Sequence, residues 1–492
     1  MWFPYRPVLC TLVSLLTTVS ARQQPLAAHQ VNSFTPYDAD LFTPFEDLHA
    51  LHASEYTVLH HPNFPAHSVR IKQSHFCDGE VRAYTGYIDI EARHLFFYFF
   101  ESRRDPDTDD VVFWTNGGPG GSSSLGLFME LGPCRVTGPN TTERFDYAWN
   151  EHANVFFVDQ PVGVGFSYAE YGEQVSSTVE AAKDISAFIV IFFEHFSKFK
   201  GRPFHFAGES YGGRYLPVFA AAVYDRNVEL VEAGLTPINL TSVMIGNGAT
   251  DFIGVVRSYY DVMCMDYGFP AITGISDCVR MKQLLPRCEK RFQQSCIDVQ
   301  DSIDCADAWR FCWDSFAWQY QYINAYDHRK PCKGHPDGPS CYTELQDIGH
   351  YLNDPETQAK LGVDQVHNNF TWMDRDLQAR FAADYWSFRA KHYLAALLEG
   401  GIRVLIYVGD TDWICNWVGN ERMTLELEWT QQEVFREQSL REWFVDGEVA
   451  GKTRTAGPLT FATVRDAGHL VPYDQPVRAL RLANRWLAGE EL

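Results

Sequence analysis

Phe204-His205-Phe206-Ala207-Gly208-Glu209-Ser210-Tyr211-Gly212-Gly213 decides the reading of this chain. A short apolar run ends in Gly-x-Ser-x-Gly, and a helical pattern begins at Tyr215. A serine at such a strand-to-helix junction is a nucleophile elbow. Small neighbours let it take a strained backbone angle and lift its hydroxyl above the sheet.

Similar apolar runs recur on both sides of the elbow: Val111–Trp114, Val155–Val158, Ser242–Ile245, Val404–Val408 and Leu459–Val464. Runs of this length suit strands buried on both faces. Helical patterns over Val179–Phe196, Tyr215–Tyr224 and Tyr385–Leu398 separate several of them. The alternation predicts an α/β fold with a mostly parallel central sheet and helices on both faces. Regular patterning starts at Tyr84, with Tyr87–Ile90 and His94–Phe100 read as an antiparallel pair. The rhythm breaks between Asp251 and Asp384, a stretch holding eight cysteines and many aromatics. The predicted organisation is a core over 70–250 and 385–492, with a cysteine-rich cap insertion over 251–384. Residues 22–69, with scattered histidines and little periodicity, read as a loosely packed leader or pro-like segment.

At the N-terminus, Arg6 precedes an apolar stretch from Val8 to Leu16, and Val19-Ser20-Ala21 carries small residues where a signal peptidase reads. The stretch is too short to span a bilayer, so residues 1–21 are expected to be a cleaved secretory signal. The C-terminus resembles neither a lipid-anchor signal nor a retrieval signal. A soluble product is expected, secreted or in a vacuolar or lysosomal lumen. Charged residues make up 21% of the chain and hydrophobic ones 46%, the balance of a globular protein. A formal charge of −22 disfavours nucleic acid and anionic membranes as partners. Twelve cysteines include Cys10 in the signal, so 11 remain, without the close pairing a zinc site needs. In an oxidising compartment they read as a disulfide framework, and no metal or cofactor is expected. Asn140, Asn239 and Asn369 head sequons for glycosylation.

A serine hydroxyl attacks only when an imidazole can take its proton and an acid fixes that imidazole. Past the strand Val404–Val408 lies Gly409-Asp410-Thr411-Asp412, which offers two acids. Past Leu459–Val464 lies Ala467-Gly468-His469-Leu470. Both loops sit where such sheets place their sites, in the order serine, acid, histidine. Asn116-Gly117-Gly118-Pro119-Gly120-Gly121-Ser122 leaves another strand as a glycine-rich loop suited to an oxyanion hole. It lacks the Gly-Lys-Ser/Thr ending of a phosphate loop.

Six ordered motifs now carry a resemblance. They are Trp114–Gly120, Leu131-Gly132-Pro133, Asp159–Tyr168, Gly208–Gly213, Ile245–Gly248 and Gly468–Pro472, joined by Tyr351–Glu356 in the insertion. From about Tyr84 onward the chain is similar to the serine carboxypeptidases, of carboxypeptidase Y type, which have the α/β-hydrolase fold. The resemblance implies Ser210 as nucleophile, His469 as base and Asp412, rather than Asp410, as the acid, with oxyanion N–H groups from Gly118 and Tyr211. It maps the binding of the substrate's terminal carboxylate onto Asn116, Glu130 and Glu209. Two carboxyls replace an arginine there if one stays protonated, which points to acid pH. Leu125, Met129 and Leu470 correspond to the pocket for the leaving residue and imply a hydrophobic preference. Family-like spacing implies the pairs Cys264–Cys278, Cys288–Cys312, Cys296–Cys305 and Cys332–Cys341, while Cys77 and Cys134 are available to each other. Cys415 is then left as a free thiol near the pocket. The family commonly has cysteine at Gly121, so one tether of the oxyanion loop is missing here.

The expected activity is release of C-terminal residues from peptides or proteins. Acyltransferases and hydroxynitrile lyases on the same scaffold are the enzyme alternative, and an inactive hydrolase-fold interaction protein is the other. Retention of Asn116, Glu130 and Glu209 together, with all three triad residues, argues against both. Oligomeric state is not readable from the sequence.

Overall fold

The computed structural model describes residues 42–492 apart from 78, 171, 300, 318–322, 333–340 and 388. The expected signal, 1–21, and the first part of the 22–69 segment lie outside the described residues. Fifteen strands are present among the described residues: β1 Thr57–His60, β2 His67–Ser74, β3 Ala83–Ile90, β4 Arg93–Phe100, β5 Val111–Thr115, β6 Cys134–Gly138, β7 Thr141–Arg144, β8 Asn154–Val158, β9 Tyr168–Ala169, β10 Phe204–Glu209, β11 Leu240–Gly246, β12 Arg403–Gly409, β13 Arg441–Val445, β14 Glu448–Ala456 and β15 Leu459–Val464.

The main sheet runs β1-β2-β3-β4-β8-β5-β10-β11-β12-β15-β14-β13. Its centre, from β8 to β15, is parallel, and antiparallel strands extend both flanks. The apolar runs read from the sequence form this parallel centre. Strand alternation sends Phe97, Phe99, Phe113, Phe156 and Phe206 to one face, where they meet Phe188 and Phe192 of helix α1 (Thr178–His195). Phe96, Tyr98, Trp114, Phe157 and Met244 face the other side, against Phe128, Trp149 and Trp486. This two-sided burial is what made the runs continuous rather than alternating.

The stretch 42–69 is packed rather than loose, and the boundary drawn at residue 69 falls inside β2. Leu48, Leu51, Leu59, Phe64 and Val69 are buried in the core beneath α1. β1 and β2 mix polar and apolar residues without clean alternation, Val58 being exposed and Lys72 and Ser74 buried, and that weak pattern hid them.

Helix α2, Gly212–Glu232, follows the elbow and runs beyond the predicted Tyr224. Between β11 and β12 the chain is helical: α3 Phe252–Cys264, α4 Ile275–Phe292, α5 Ser302–Phe316, α6 Glu344–Asn353, α7 Pro355–Leu361, α8 Arg375–Arg380, α9 Ala382–Ser387 and α10 Lys391–Glu399. The predicted helix Tyr385–Leu398 is thus two, α9 and α10. α9 turns Tyr385 and Trp386 to a cavity, whereas α10 buries Leu394, Leu397 and Leu398 in the core. One straight helix would not serve both directions. Phe252, Tyr259, Met281 and Phe316 give α3–α5 a separate small core. Disulfides join Cys77–Cys134, Cys264–Cys278, Cys288–Cys312, Cys296–Cys305 and Cys332–Cys341, and Cys415 is free. The last four are the pairs implied by the family-like spacing, and the first joins the two cysteines that were left available to each other. No helix among the described residues is long and apolar enough to cross a membrane.

Candidate active site

Five parallel strands deliver the site at their C-terminal ends: β5 leads to Asn116, β10 to Ser210, β11 to Asn247, β12 to Asp412 and β15 to His469. Ser210 has φ +58°, the left-handed region that side chains avoid, in keeping with the strained elbow. Its backbone is pinned on both sides: Ser210 N donates to the Gly246 carbonyl at 3.1 Å, and Ala249 N donates to the Ser210 carbonyl at 2.8 Å.

His469 Nδ1 donates to Asp412 Oδ2 at 2.8 Å, and both side chains are buried. The same carboxylate accepts from Asn247 Nδ2 at 2.8 Å, Ile414 N at 3.1 Å and Cys415 N at 3.3 Å. Asn247 is held in turn, its Oδ1 accepting from Gly409 N at 3.1 Å. Engagement of Nδ1 leaves Nε2 as the imidazole's free nitrogen. Asp410, the neighbouring acid, accepts from Asp466 N at 2.9 Å, and burial pushes its carboxyl up to about 7. Asn247 was not singled out from the sequence for any role. Its signals were its place in the motif Ile245–Gly248 and a polar residue directly after a buried strand.

The glycine loop packs against the elbow. A Cβ on Gly117 would stand 2.3 Å from Tyr211 N and 2.7 Å from Ser210 Cβ, so only glycine permits this approach. Asp159 fixes the loop's end by accepting from Ser122 Oγ at 2.6 Å and Ser123 N at 2.9 Å. In place of a disulfide at Gly121, backbone bonds join the loop to 372–374. Ser122 N donates to the Trp372 carbonyl at 3.0 Å, and Asp374 N to the Gly120 carbonyl at 2.9 Å. On the far side of the elbow, the Tyr211 hydroxyl donates to Asp384 at 2.8 Å.

Asn116, Glu130 and Glu209 come together, all buried. Asn116 Oδ1 accepts from Trp114 Nε1 at 2.8 Å and Gly126 N at 3.0 Å, which fixes the amide's orientation. Its Nδ2 then donates to Glu130 Oε1 at 3.2 Å and Glu209 Oε1 at 3.0 Å. Gly126 opens the π-helical segment Gly126–Leu131 that carries Glu130, and a Cβ there would collide with Trp114 Nε1 at 2.2 Å. Burial raises both carboxyls, Glu130 to about 7, and the neighbouring Glu130 carboxyl raises Glu209 further. In acid the pair is neutral and rich in O–H donors.

Ser210, Tyr211, His469, Gly118, Asn116 and Glu209 line one cavity of about 490 Å³. Leu125, Met129, Cys415 and Leu470 line it too. The wall contains residues the sequence reading did not assign: Trp309, Trp313, Tyr385 and Trp386 on one side, Tyr326 and Tyr342 on the other. Tyr326 lies against His469, ring centres 4.8 Å apart, and its carbonyl accepts from His469 N at 2.7 Å. The Ala325 carbonyl accepts from Trp413 N and Ile414 N, each at 3.1 Å. One segment between β11 and β12 therefore braces both the acid's loop and the histidine's. Asp412, Cys415 and His469 bring three potential metal ligands within 4.8 Å of one another. That set suits a metal poorly: His469 Nδ1 is engaged by Asp412, and burial beside Asp412 pushes the Cys415 thiol well up, against the thiolate. Asn140, Asn239 and Asn369 are all exposed.

Comparison with known proteins agrees with this geometry. The serine carboxypeptidase family model matches residues 76–489. Carboxypeptidase Y of Komagataella phaffii is 39% identical over 414 residues, covering 83% of this chain and 76% of that protein. A vacuolar serine-type carboxypeptidase of Saccharomyces cerevisiae is 40% identical over 416 residues, covering 83% of this chain and 80% of the relative. In fold, the chain is similar to the crystal structure of KEX1(delta)p, a prohormone-processing carboxypeptidase from Saccharomyces cerevisiae. The TM-score is 0.69 at 20% identity, over 83% of this chain and 91% of the other. The chain belongs to the serine carboxypeptidase family and is a serine-type carboxypeptidase with the α/β-hydrolase fold.

Proposed function

We propose that this enzyme releases C-terminal residues, preferably hydrophobic ones, at acid pH through an acyl-enzyme formed on Ser210. The observation that carries this reading is the buried, hydrogen-bonded trio of Asn116, Glu130 and Glu209, of which Asn116 and Glu209 line the cavity with Ser210 and His469. A carboxylate needs donors, and two protonated carboxyls organised by one amide supply them without an arginine.

In this mechanism His469 Nε2 takes the Ser210 proton as Oγ attacks the last peptide carbonyl. Asp412 holds the imidazole's orientation and stabilises its positive charge. The N–H groups of Gly118 and Tyr211 meet the oxyanion. Collapse expels the terminal residue, whose amine takes the proton from His469. Water, activated by the same histidine, then attacks the acyl carbon and restores Ser210. The close approach of Gly117 to Tyr211 supports the oxyanion assignment, because it sets both peptides beside the elbow.

Leu125, Met129 and Leu470 support a preference for C-terminal Leu, Phe or Met over Lys or Asp, because an unpaired charge buried among them is costly. Five disulfides and three exposed sequon asparagines support a secretory route to the outside or to a vacuolar or lysosomal lumen. The helices between β11 and β12 serve as a cap that completes the cavity wall.

Hydrolysis of a blocked Phe-Leu dipeptide at pH 5 should exceed that of its C-terminal amide by at least about 100-fold, the worth of charge-assisted hydrogen bonds. Equal rates would remove the carboxylate-binding role. Acyl transfer to an added alcohol without peptide hydrolysis would favour the acyltransferase alternative.

A further inference from the structure

The cavity has a buried end and an open side. Asn116 and Glu209 are nearly inaccessible, whereas Arg375, which also lines the cavity, is exposed. A substrate whose terminal carboxylate is held at the buried end has to leave through the open side with the rest of its chain. That path rests on the reading of the carboxylate site given above. Arg375 is the only lysine or arginine lining the cavity among the described residues.

Its position is set by the catalytic loop itself. Trp372 and Asp374 are bonded to Ser122 and Gly120, and α8 starts at the next residue, Arg375. A Cβ on Gly120 would stand 2.6 Å from the Asp374 carbonyl, so the two segments are in direct contact. Arg375 Nη1 donates to Gln378 Oε1 at 3.1 Å, a neutral partner that orients the guanidinium and leaves its charge uncompensated. The nearest acids in sequence are otherwise placed. Asp374 caps α8 by accepting from Leu377 N at 2.9 Å and lies 4.0 Å from Arg380, and Asp376 is exposed and does not line the cavity. On a chain with 63 Asp plus Glu against 41 Lys plus Arg, this is a local cation on the exit path.

We propose that Arg375 is a specificity-determining residue that selects Glu or Asp on the amino side of the scissile bond, at the third or fourth residue from the substrate's C-terminus. Tyr385 and Trp386 line the cavity together with Ser210, so they offer an aromatic wall to the second residue and leave the following ones to reach the rim. One unit charge facing another about 5 Å away in a water-like medium changes the rate by a few-fold, and Glu against Lys doubles the contrast to about 10-fold.

The test uses acetyl-Ala-X-Ala-Leu and acetyl-X-Ala-Ala-Leu with X as Glu, Gln or Lys, at pH 5.5, comparing kcat/KM within each enzyme so that general changes in activity cancel. The wild type should favour Glu over Lys about 10-fold at one of these positions, and 0.5 M salt should shrink that ratio towards one. Arg375→Gln should abolish the preference and Arg375→Glu should invert it. A Glu/Lys ratio that is the same in the wild type and in Arg375→Glu would overturn the proposal while leaving the carboxypeptidase reading intact. Failure of the wild type to release leucine from the Gln peptides would overturn the reading of the carboxylate end, and this proposal with it.

Discussion

Replacing Glu130 by Gln separates the charge of the carboxylate site from its shape. Glu130 is fully buried, accepts a hydrogen bond from Asn116 and adjoins Glu209, and burial lifts its carboxyl from 4.5 to about 7. At 1.36 kcal/mol per pH unit, holding it ionised at pH 8 costs about 3 kcal/mol. Glutamine keeps the acceptor for Asn116 and an N–H donor but never ionises. For a blocked dipeptide with a free carboxylate, wild-type kcat/KM should fall about ten-fold per pH unit above pH 7, because an anion then faces an anion. Glu130→Gln should be about 3- to 10-fold slower at pH 5, amide donors being weaker than acid O–H groups. Its decline through pH 7 should disappear. Any remaining loss belongs to Glu209 at higher pH, since burial, the larger cause, still raises it. Stability supplies a second readout. A raised folded-state carboxyl costs nothing below pH ~4.5 and progressively more up to pH 7, so the variant should resist denaturant better than wild type at pH 8 by up to about 3 kcal/mol and equally at pH 4.5. The same decline through pH 7 in both proteins would refute the reasoning.

Other perturbations test the remaining parts. Gly117→Ala should lower kcat by at least about 100-fold, because its Cβ would displace the loop from Tyr211 N, and a rate within two-fold of wild type would contradict the packing. Asn247→Gly frees the backbone of strain while removing a donor to Asp412; kcat should fall about 10- to 100-fold with KM little changed, and a KM effect alone would argue against a role through the acid. Mercurials should inhibit the wild type by filling the cavity at Cys415, and Cys415→Ser should retain peptidase activity within a few-fold and become resistant to them; an inactive variant would contradict this.

The centre of the fold was legible because its signals are local. Strands buried on both faces read as continuous apolar runs, and the elbow's glycines mark a backbone that few residues can follow. β1, β2, β13 and β14 went unread because flanking strands mix polar and apolar residues on a half-solvated sheet. Either Asp410 or Asp412 fitted the acid by position. The three-dimensional difference is that His469 reaches only the latter, while Asp410 is occupied by the Asp466 backbone. Trp309, Trp313 and Tyr385 resembled ordinary core aromatics, and their cavity depends on helices far apart in sequence. The bracing carbonyls of Ala325 and Tyr326 carry no side-chain signal at all.

The central claim is that Ser210 is the nucleophile of a single hydrolytic site. Labelling with a fluorophosphonate, followed by peptide mapping, tests it directly in the intact protein. The account predicts stoichiometric loss of peptidase activity with modification confined to Ser210, and neither labelling nor hydrolysis in Ser210→Ala. Labelling of another serine, or hydrolysis that survives in Ser210→Ala, would contradict it.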